Sequence, residues 1–393
     1  MERKLIQLSD VITDIAAGPF GSNLKVSCFV NDGFPIIDGA NLKSFKVTDN
    51  ITKFVTEEKA RSLHRSIAKR GDIVVTISGT LGQIAYIPDD SNYEEYLCSQ
   101  RQFRVTFDTT KVYVPYLVFY FHTYEGKHKI LSFANQVGVP ALSQPLKNFR
   151  QISVQLPTLE TQKKIASIVE SINGKIEQNE IINNNLEQQA QAIYQQMFID
   201  NARSNWAEGT LSDIADITMG QSPSGSSYNE DGTGTIFFQG RAEFGFRFPS
   251  VRLYTTEPKR MARSNDTLMS VRAPVGDLNV AHTDCCIGRG LAAIHSKNNH
   301  QSFVLYTMFS LKKQLDVFNG EGTVFGSINR NSLNEMPILI PSSEKLDEFE
   351  ALVSPMDAAI RNNYDEICRL EQLRDSLLPQ LMSGELDVSD IDL

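Results

Sequence analysis

The side chains of this chain that suit a chemistry are small polar and cationic groups set in glycine-punctuated turns. That chemistry is the recognition of bases and phosphates. Ser22, Asn23 and Lys25 follow the turn Gly18-Pro19-Phe20-Gly21, and Gln221 and Ser222 sit in a second such turn, Gly220–Gly225. Such residues reach base edges or phosphates, although a plain hairpin turn is the more common origin of any one of them. Two further loops, residues 78–83 with Ser78 and Thr80 and residues 272–277 with Arg272, each follow an apolar run. Arg272 is the strongest single candidate for a guanine or phosphate contact. Arg241 is second, and Asn41 lies near its matching point. Arg61, Arg65 and Lys69 are spaced by four, as one helical face tracking phosphates would be. With Glu57 and Glu58 adjacent, a solvated helix face fits them equally well. Lys259, Arg260 and Arg263 recur at the corresponding place before the matching apolar run.

Bond-making chemistry finds no support. There is no Asn/Asp-Pro-Pro-aromatic run and no GxxxxGK[ST]. His64, His122, His128, His282, His295 and His300 lack metal-ligand spacing. Pro88-Asp89 with Glu125-Gly126-Lys127 faintly imitates a nuclease pattern, which is read as coincidence. Asp72 and Asp266 precede apolar runs as turn residues do. Phe237, Phe244, Phe246 and Phe248 read as core. The expectation is a chain without catalysis, metal or cofactor of its own.

The elements that must position these residues follow from length and pattern. At 393 residues with 41% hydrophobic content, the chain is long enough for two or three domains with real cores. Its five cysteines, Cys28, Cys98, Cys285, Cys286 and Cys368, are odd in number and form no CxxC. The opening MERKLIQLSD has no apolar signal-type stretch, and no run approaches the ~18 apolar residues of a membrane span. A reducing cytoplasm is the expected setting. The net charge of −9 is unevenly spread: residues 1–157 carry +3, 158–200 carry −3, 201–341 balance, and 342–393 carry −9. An acidic total therefore does not exclude DNA, because binding answers to the local field.

The chain is a tandem repeat. Leu8-Ser9-Asp10-Val11 returns as Leu211-Ser212-Asp213-Ile214, residues 71–87 align with 265–281, and Cys98-Ser99-Gln100-Arg101 aligns with Cys286-Ile287-Gly288-Arg289. From Gly138 and Gly322 onward the two copies keep one constant register past Pro157 and Pro341. The runs Ile73–Ile77 and Thr267–Val271 read as strands, whereas Val112–Phe121 and Phe303–Phe309 fit a buried helix or a strand. Residues 160–198, and their second copy from Phe349 to Leu381, step their apolar positions by three and four as long helices do. A helix from 160 to 197 would be roughly 57 Å long and needs a partner along its stripe. The homologous helix of the same chain, running antiparallel, is the sharper choice over a second copy of the chain. Pro355 and Pro379 predict local kinks. Asn179 and Asn183–Asn185 predict a seam that is not apolar throughout, and Gly384 predicts a helix stop.

Leu377-Leu378-Pro379-Gln380-Leu381-Met382-Ser383-Gly384-Glu385-Leu386 resembles the C-terminal conserved region of the specificity subunits of type I restriction–modification systems. Leu156–Ile165 is similar to the start of that family's central conserved helix, with two departures. Thr161 splits Glu160 from Gln162, and Asn173 stands where Asp is usual, opposite Asp357 of the second copy. The resemblance covers essentially the whole chain. It implies an α+β fold with two β-rich mixed target-recognition domains in tandem, each followed by a long helix. The helices would pair as an antiparallel coiled-coil spacer. The divisions are 1–157 for the first recognition domain, 158–200 for the central helix, 201–341 for the second domain, and 342–393 for the C-terminal helix and tail. It further implies an asymmetric split site on double-stranded DNA, two methyltransferase subunits as partners, and motor/nuclease subunits for cleavage. S-adenosylmethionine would belong to the methyltransferase. The rivals are a stand-alone two-headed DNA-binding protein and a self-contained endonuclease.

Overall fold

The computed structural model describes residues 3–135, 140–203, 205–320 and 326–388; Gly138 and Gly322, which open the constant register, lie outside them. The chain forms two compact units, Met1–Ile176 with Cys368–Leu393, and Glu177–Ile367. Each unit therefore takes one mixed block and a part of each long helix.

In the first unit a four-stranded antiparallel sheet runs in the order Ile12–Ala17, Gln102–Phe107, Ile73–Thr76, Ile84–Tyr86. A five-stranded sheet runs Phe29–Val30, Phe54–Val55, Phe34–Ile37, Glu95–Cys98, Ile67–Lys69. Its one parallel pair sets Ile36 against Leu97 and Ile37 against Cys98. The second unit repeats this order with Ala215–Met219, Leu291–Ser296, Thr267–Ser270 and Leu278–Val280. Its five-stranded sheet again has one parallel pair, Phe237 against Cys286 and Phe238 against Ile287.

Side-chain alternation divides the core on either face of the four-stranded sheet. Ile73, Val75, Ile84 and Tyr86 enter one cluster, with Tyr116, Leu117 and Phe121. Val74, Ala85 and Ile87 enter another, with Tyr96 and Cys98. Both faces are covered, so these strands read as unbroken apolar runs. The second unit divides Met269 from Leu268 and Val280 from Ala281 in the same way. The two ambiguous apolar stretches are helices, Val114–His122 and Gln301–Ser310. They are buried almost all round, which erases the polar stripe that would have marked them as helices. Pro115, in the first turn, favours the helical start.

The long helices are Leu159–Tyr194, continued by a π-helical turn Gln195–Asp200, and Ser343–Ser383. Pro355 and Pro379 lie inside the second, and the helix is continuous through both. A proline removes one backbone donor, and a 41-residue element packed along its length absorbs that loss. In the second unit Asn179 Nδ2 donates to Glu366 Oε2 (2.8 Å) and Asn363 Nδ2 to Asn183 Oδ1 (2.9 Å). Partner numbers rise on one helix as they fall on the other, so the pairing is antiparallel. In the first unit Ile165, Ala166 and Val169 share a core with Leu378, Leu381 and Met382. Arg374 Nη1 donates to Asn173 Oδ1 across that pair (3.2 Å).

The start of the first long helix and the end of the second are fastened within the first unit. Gln162, fully buried, donates to the carbonyls of Lys111 (3.2 Å) and Pro157 (3.0 Å) and accepts from the Tyr113 amide (2.9 Å). Gly384 stops the second helix with φ +82°, and its amide donates to the Gln380 carbonyl (3.1 Å). The Arg3 guanidinium donates to the Leu381 carbonyl (3.0 Å) and the Met382 carbonyl, capping a helix end that favours cations.

Candidate nucleic-acid interface

Strand register decides which loops meet. In the first unit Phe103 pairs with Ala17, Gln102 with Thr76, and Ile84 with Val75. The segments 18–25, 77–83 and 99–101 therefore leave one end of one sheet, bringing Ser22, Asn23, Lys25, Ser78 and Thr80 together. Gln100 Nε2 bonds the Gly21 and Leu24 carbonyls, both at 2.7 Å, and the Gly18 amide donates to the Gln102 carbonyl (2.8 Å). Gly18 is required by this approach, since a Cβ there would stand 1.9 Å from the Ser99 carbonyl oxygen. The same end in the second unit is marked by Met219 against Ala292, Ser270 against Leu291, and Met269 against Leu278. It gathers the segments 220–227, 271–277 and 288–290, and with them Gln221, Ser222 and Arg272. The Gln221 amide donates to the Ile287 carbonyl (3.0 Å), and the Arg289 amide to Ser222 Oγ (3.3 Å).

This arrangement adds two residues that the turn sequences alone do not single out, Arg101 and Arg289. Both are exposed, and neither holds an ion pair among the described residues. The signal was present in the repeat, where an arginine follows the aligned cysteine by three positions in each copy. Arg272 is likewise exposed and without an ion pair among the described residues.

Other candidates stand elsewhere or are occupied. The expected helical face through Arg61, Arg65 and Lys69 does not form. The helix Glu57–Ser62 ends before Arg65, which lies in the 3-10 turn His64–Ser66, and Lys69 ends the strand Ile67–Lys69. Six helical residues cannot carry a stripe of that length, and the pull of the five-stranded sheet wins after Ser66. Arg61 reaches Glu57 (2.7 Å) and Glu95 (2.6 Å), which raise its pKa, and lies over the Phe34 ring (5.4 Å). Lys69 pairs with Glu95 at the strand end away from Cys98, hence away from the loop cluster. In the second unit the Arg260 carbonyl accepts from the Ile287 amide (2.9 Å), placing Lys259 and Arg260 on the loop side. Arg263 turns the other way, to His295 Nε2 (3.3 Å). Arg241 pairs with Asp277 of the 271–277 loop (2.7 Å). Asn41 is buried: its amide donates to the Thr48 and Asn50 carbonyls (both 3.2 Å), and its oxygen accepts from the Asp38 amide (3.0 Å). Its side chain holds its own loop together and is turned away from any ligand.

The acidic and aromatic candidates resolve as follows. Asp72 accepts from Thr106 Oγ1 (2.6 Å) and the Lys69 amide (3.0 Å), and burial pushes its pKa up. Asp266 takes the equivalent place, bonded to His295 Nδ1 (2.6 Å) and the Arg263 amide (2.8 Å). Both close turns. Glu125 is engaged by Lys129 Nζ (2.8 Å), which lowers its pKa, and by Tyr120 OH (3.0 Å). Among the described residues no three His, Cys, Asp or Glu are grouped to hold a metal ion. No described helix is long and apolar enough to cross a membrane. Phe237 and Phe248 are core, Phe244 is half-buried, and Phe246 departs from expectation at 52% exposed, because its loop turns outward before Arg247.

Comparison with known proteins gives a consistent result. The family described as the type I restriction modification DNA specificity domain matches twice, over residues 22–188 and 203–371. The chain is 26% identical over 376 residues to a putative type I restriction enzyme MjaX specificity subunit of Methanocaldococcus jannaschii, covering 91% of this chain and 88% of that protein. It is 22% identical over 372 residues to the type I restriction enzyme MjaIX specificity subunit of the same organism, covering 86% and 82%. In fold it is similar to the crystal structure of a type I restriction-modification system S subunit from M. genitalium, at TM-score 0.62 and 13% identity over 97% of this chain and 96% of that one.

Proposed function

The chain belongs to the type I restriction modification DNA specificity family, and from that premise we propose that it reads an asymmetric bipartite DNA site for partner subunits. It is the non-catalytic recognition component of a type I restriction–modification complex. Its assembly partners are methyltransferase and restriction subunits. Adenine methylation, with S-adenosylmethionine, belongs to the first, and cleavage to the motor/nuclease subunits. We place its action in the cytoplasm.

The observation that carries this reading is the recurrence of one arrangement in two units. Each unit delivers a glycine-rich turn, the loop after a buried strand, and an arginine without an ion pair among the described residues to the same end of the same kind of sheet. Two such ends of different side chains suit two different half-sites. Residues 1–157 and 201–341 are then the two reading domains. Ser22, Asn23, Lys25, Ser78, Thr80 and Arg101 serve the first half-site. Gln221, Ser222, Arg272 and Arg289 serve the second, with Lys259 and Arg260 supplying phosphate contacts beside them. Two methyltransferase subunits, one for each half-site, suit the doubled chain.

The test is a genome-wide adenine-methylation map of cells that carry the methyltransferase partner, with and without this chain. A split, asymmetric motif present only with the chain is the expected result. Identical maps, despite assembly of the complex, would overturn the reading.

A further inference from the structure

We infer that Phe20 is an apolar wedge that stacks into the DNA of the first half-site; this rests on the reading that the loop end of the unit faces DNA. The ring is 83% exposed at the tip of the turn between Ala17 and Lys25. The ring is part of a contiguous apolar lining with Pro19, Ile77 and Leu146, and it is such a patch rimmed by polar groups, rather than a lone exposed ring, that marks a contact surface. The turn that presents the ring is fixed. The Phe20 carbonyl accepts from the Asn23 amide (2.9 Å), and the neighbouring carbonyls of Gly21 and Leu24 are both held by Gln100 Nε2. Leu24 anchors the same stretch in the core with Phe34, Ile36 and Leu97.

The surroundings name the partner. Arg101, Lys147, Ser78 and Gln144 line the concavity beside the ring, and Lys25 follows it on the turn. Arg101, Lys147 and Lys25 hold no ion pair among the described residues, so the apolar tip stands among free cations. Gln144 has a left-handed backbone, φ +41°, a conformation that side chains rarely adopt and that concentrates at binding sites. Free cations suit phosphates, and an apolar ring among them suits a base step: this is the composition of elements that unstack and kink a duplex. An uncharged protein groove would leave those cations unanswered. In the second copy Gly220 is followed by Gln221, Ser222 and Pro223, with no aromatic residue, so the wedge serves one half-site only.

The test uses the full complex with methyltransferase subunits and duplexes carrying 2-aminopurine at successive positions of each half-site. Binding of the unaltered complex should raise fluorescence at one step of the first half-site. Phe20→Ala should abolish that rise and weaken binding about 10-fold, within the range measured for base–aromatic stacking. Phe20→Trp should keep both, and probes in the second half-site should respond equally to all three proteins. Equal fluorescence and affinity for Phe20→Ala would overturn the wedge. So would a loss of methyltransferase subunits from the purified Phe20→Ala complex with unchanged DNA behaviour, which would assign the ring to a protein contact. If the unaltered complex binds no bipartite site, the failure lies in the recognition reading, and the wedge falls with it.

Discussion

The arginines divide by whether a carboxylate of the protein already answers them. Arg61, Arg104 and Arg241 are each answered by a carboxylate of the protein itself, whereas Arg101, Arg272 and Arg289 have no such partner among the described residues. An arginine without an internal partner keeps its bidentate fork for a base or a phosphate. Arg272→Ala should relax one position of the second half-site, at a cost of ~1–3 kcal/mol in discrimination, and leave the first half-site unchanged. The methylation motif of the variant reads this directly; relaxation in the first half-site would reverse the domain assignment. Arg289→Ala, if the contact is to phosphate, should weaken all sequences alike and reduce the salt slope of binding by ~1. A half-buried histidine supplies a different kind of test. His122 is half-buried with Nε2 on the Ile84 carbonyl (2.8 Å), and desolvation of its ring lowers its pKa from 6.5. The unfolded chain therefore binds the proton more readily, so stability rises with pH up to about 6.5 and falls on acidification below it. Thermal melts should show that loss in the first unit, and His122→Gln should flatten it. Residue roles were the least legible level of this sequence. Asn41 and Arg272 look alike as polar residues near turns, and only the backbone's course sends one inward and the other outward. The turn clusters were legible because glycine punctuation survives any fold.

Elements were read more successfully where a pattern carried them. The strands at Ile73 and Thr267 and both long helices follow from apolar spacing, since a strand buried on both faces and a helix with one stripe leave distinct marks. The stretches at Val112 and Phe303 left none, because burial on every side removes the polar positions that reveal a period. The six-residue helix Glu57–Ser62 shows the opposite failure: charges spaced by four suggested a helical face, and competition from the neighbouring strand ended it early. At the far end of the C-terminal helix, Gly384 at φ +82° and the Arg3 guanidinium act on the same turn. Gly384→Ala would put a Cβ 2.9 Å from Arg3 Nε on a backbone that alanine avoids. It should destabilise the first unit by more than ~1 kcal/mol. Arg3→Ala should cost ~0.5–2 kcal/mol through the lost cap. Denaturant melts of both variants measure these, and an unchanged midpoint for Arg3→Ala would show that its contacts to Leu381 and Met382 add nothing.

For the whole molecule, the repeat carried more information than composition did. A net charge of −9 by itself points away from DNA, yet the deficit lies in residues 342–393 and leaves the two recognition blocks neutral or basic. Duplication of the block, rather than its charge, predicted two reading units of one topology. What duplication could not supply is the course of the chain through the two units, because the long helices are consecutive in sequence with the blocks yet each is shared between units. If helix length sets the gap between half-sites, four residues inserted in one helix, about one turn, should change that gap and none of the bases read. A methylation motif with an unchanged gap would separate the helices from that role.

Asn183 bonded to Asn363 has a consequence for the fidelity of assembly. Sliding one helix past the other by a turn in either direction would set Asn183 opposite Ile367 or Ala359, neither of which offers a side-chain hydrogen bond. Apolar seams tolerate such slips, while a buried amide stripped of its partner does not. A one-turn error is ~5.4 Å, more than the ~3.4 Å between base pairs. If the helices set the gap between half-sites, a population folded out of step would mark genomic positions of the wrong spacing. With the Asn179–Glu366 bond beside it, this amide pair favours one register: Asn183→Leu together with Asn363→Leu should give a chain no less stable but less strict in register, read as a minor second motif in its methylation map if the helices set the gap between half-sites.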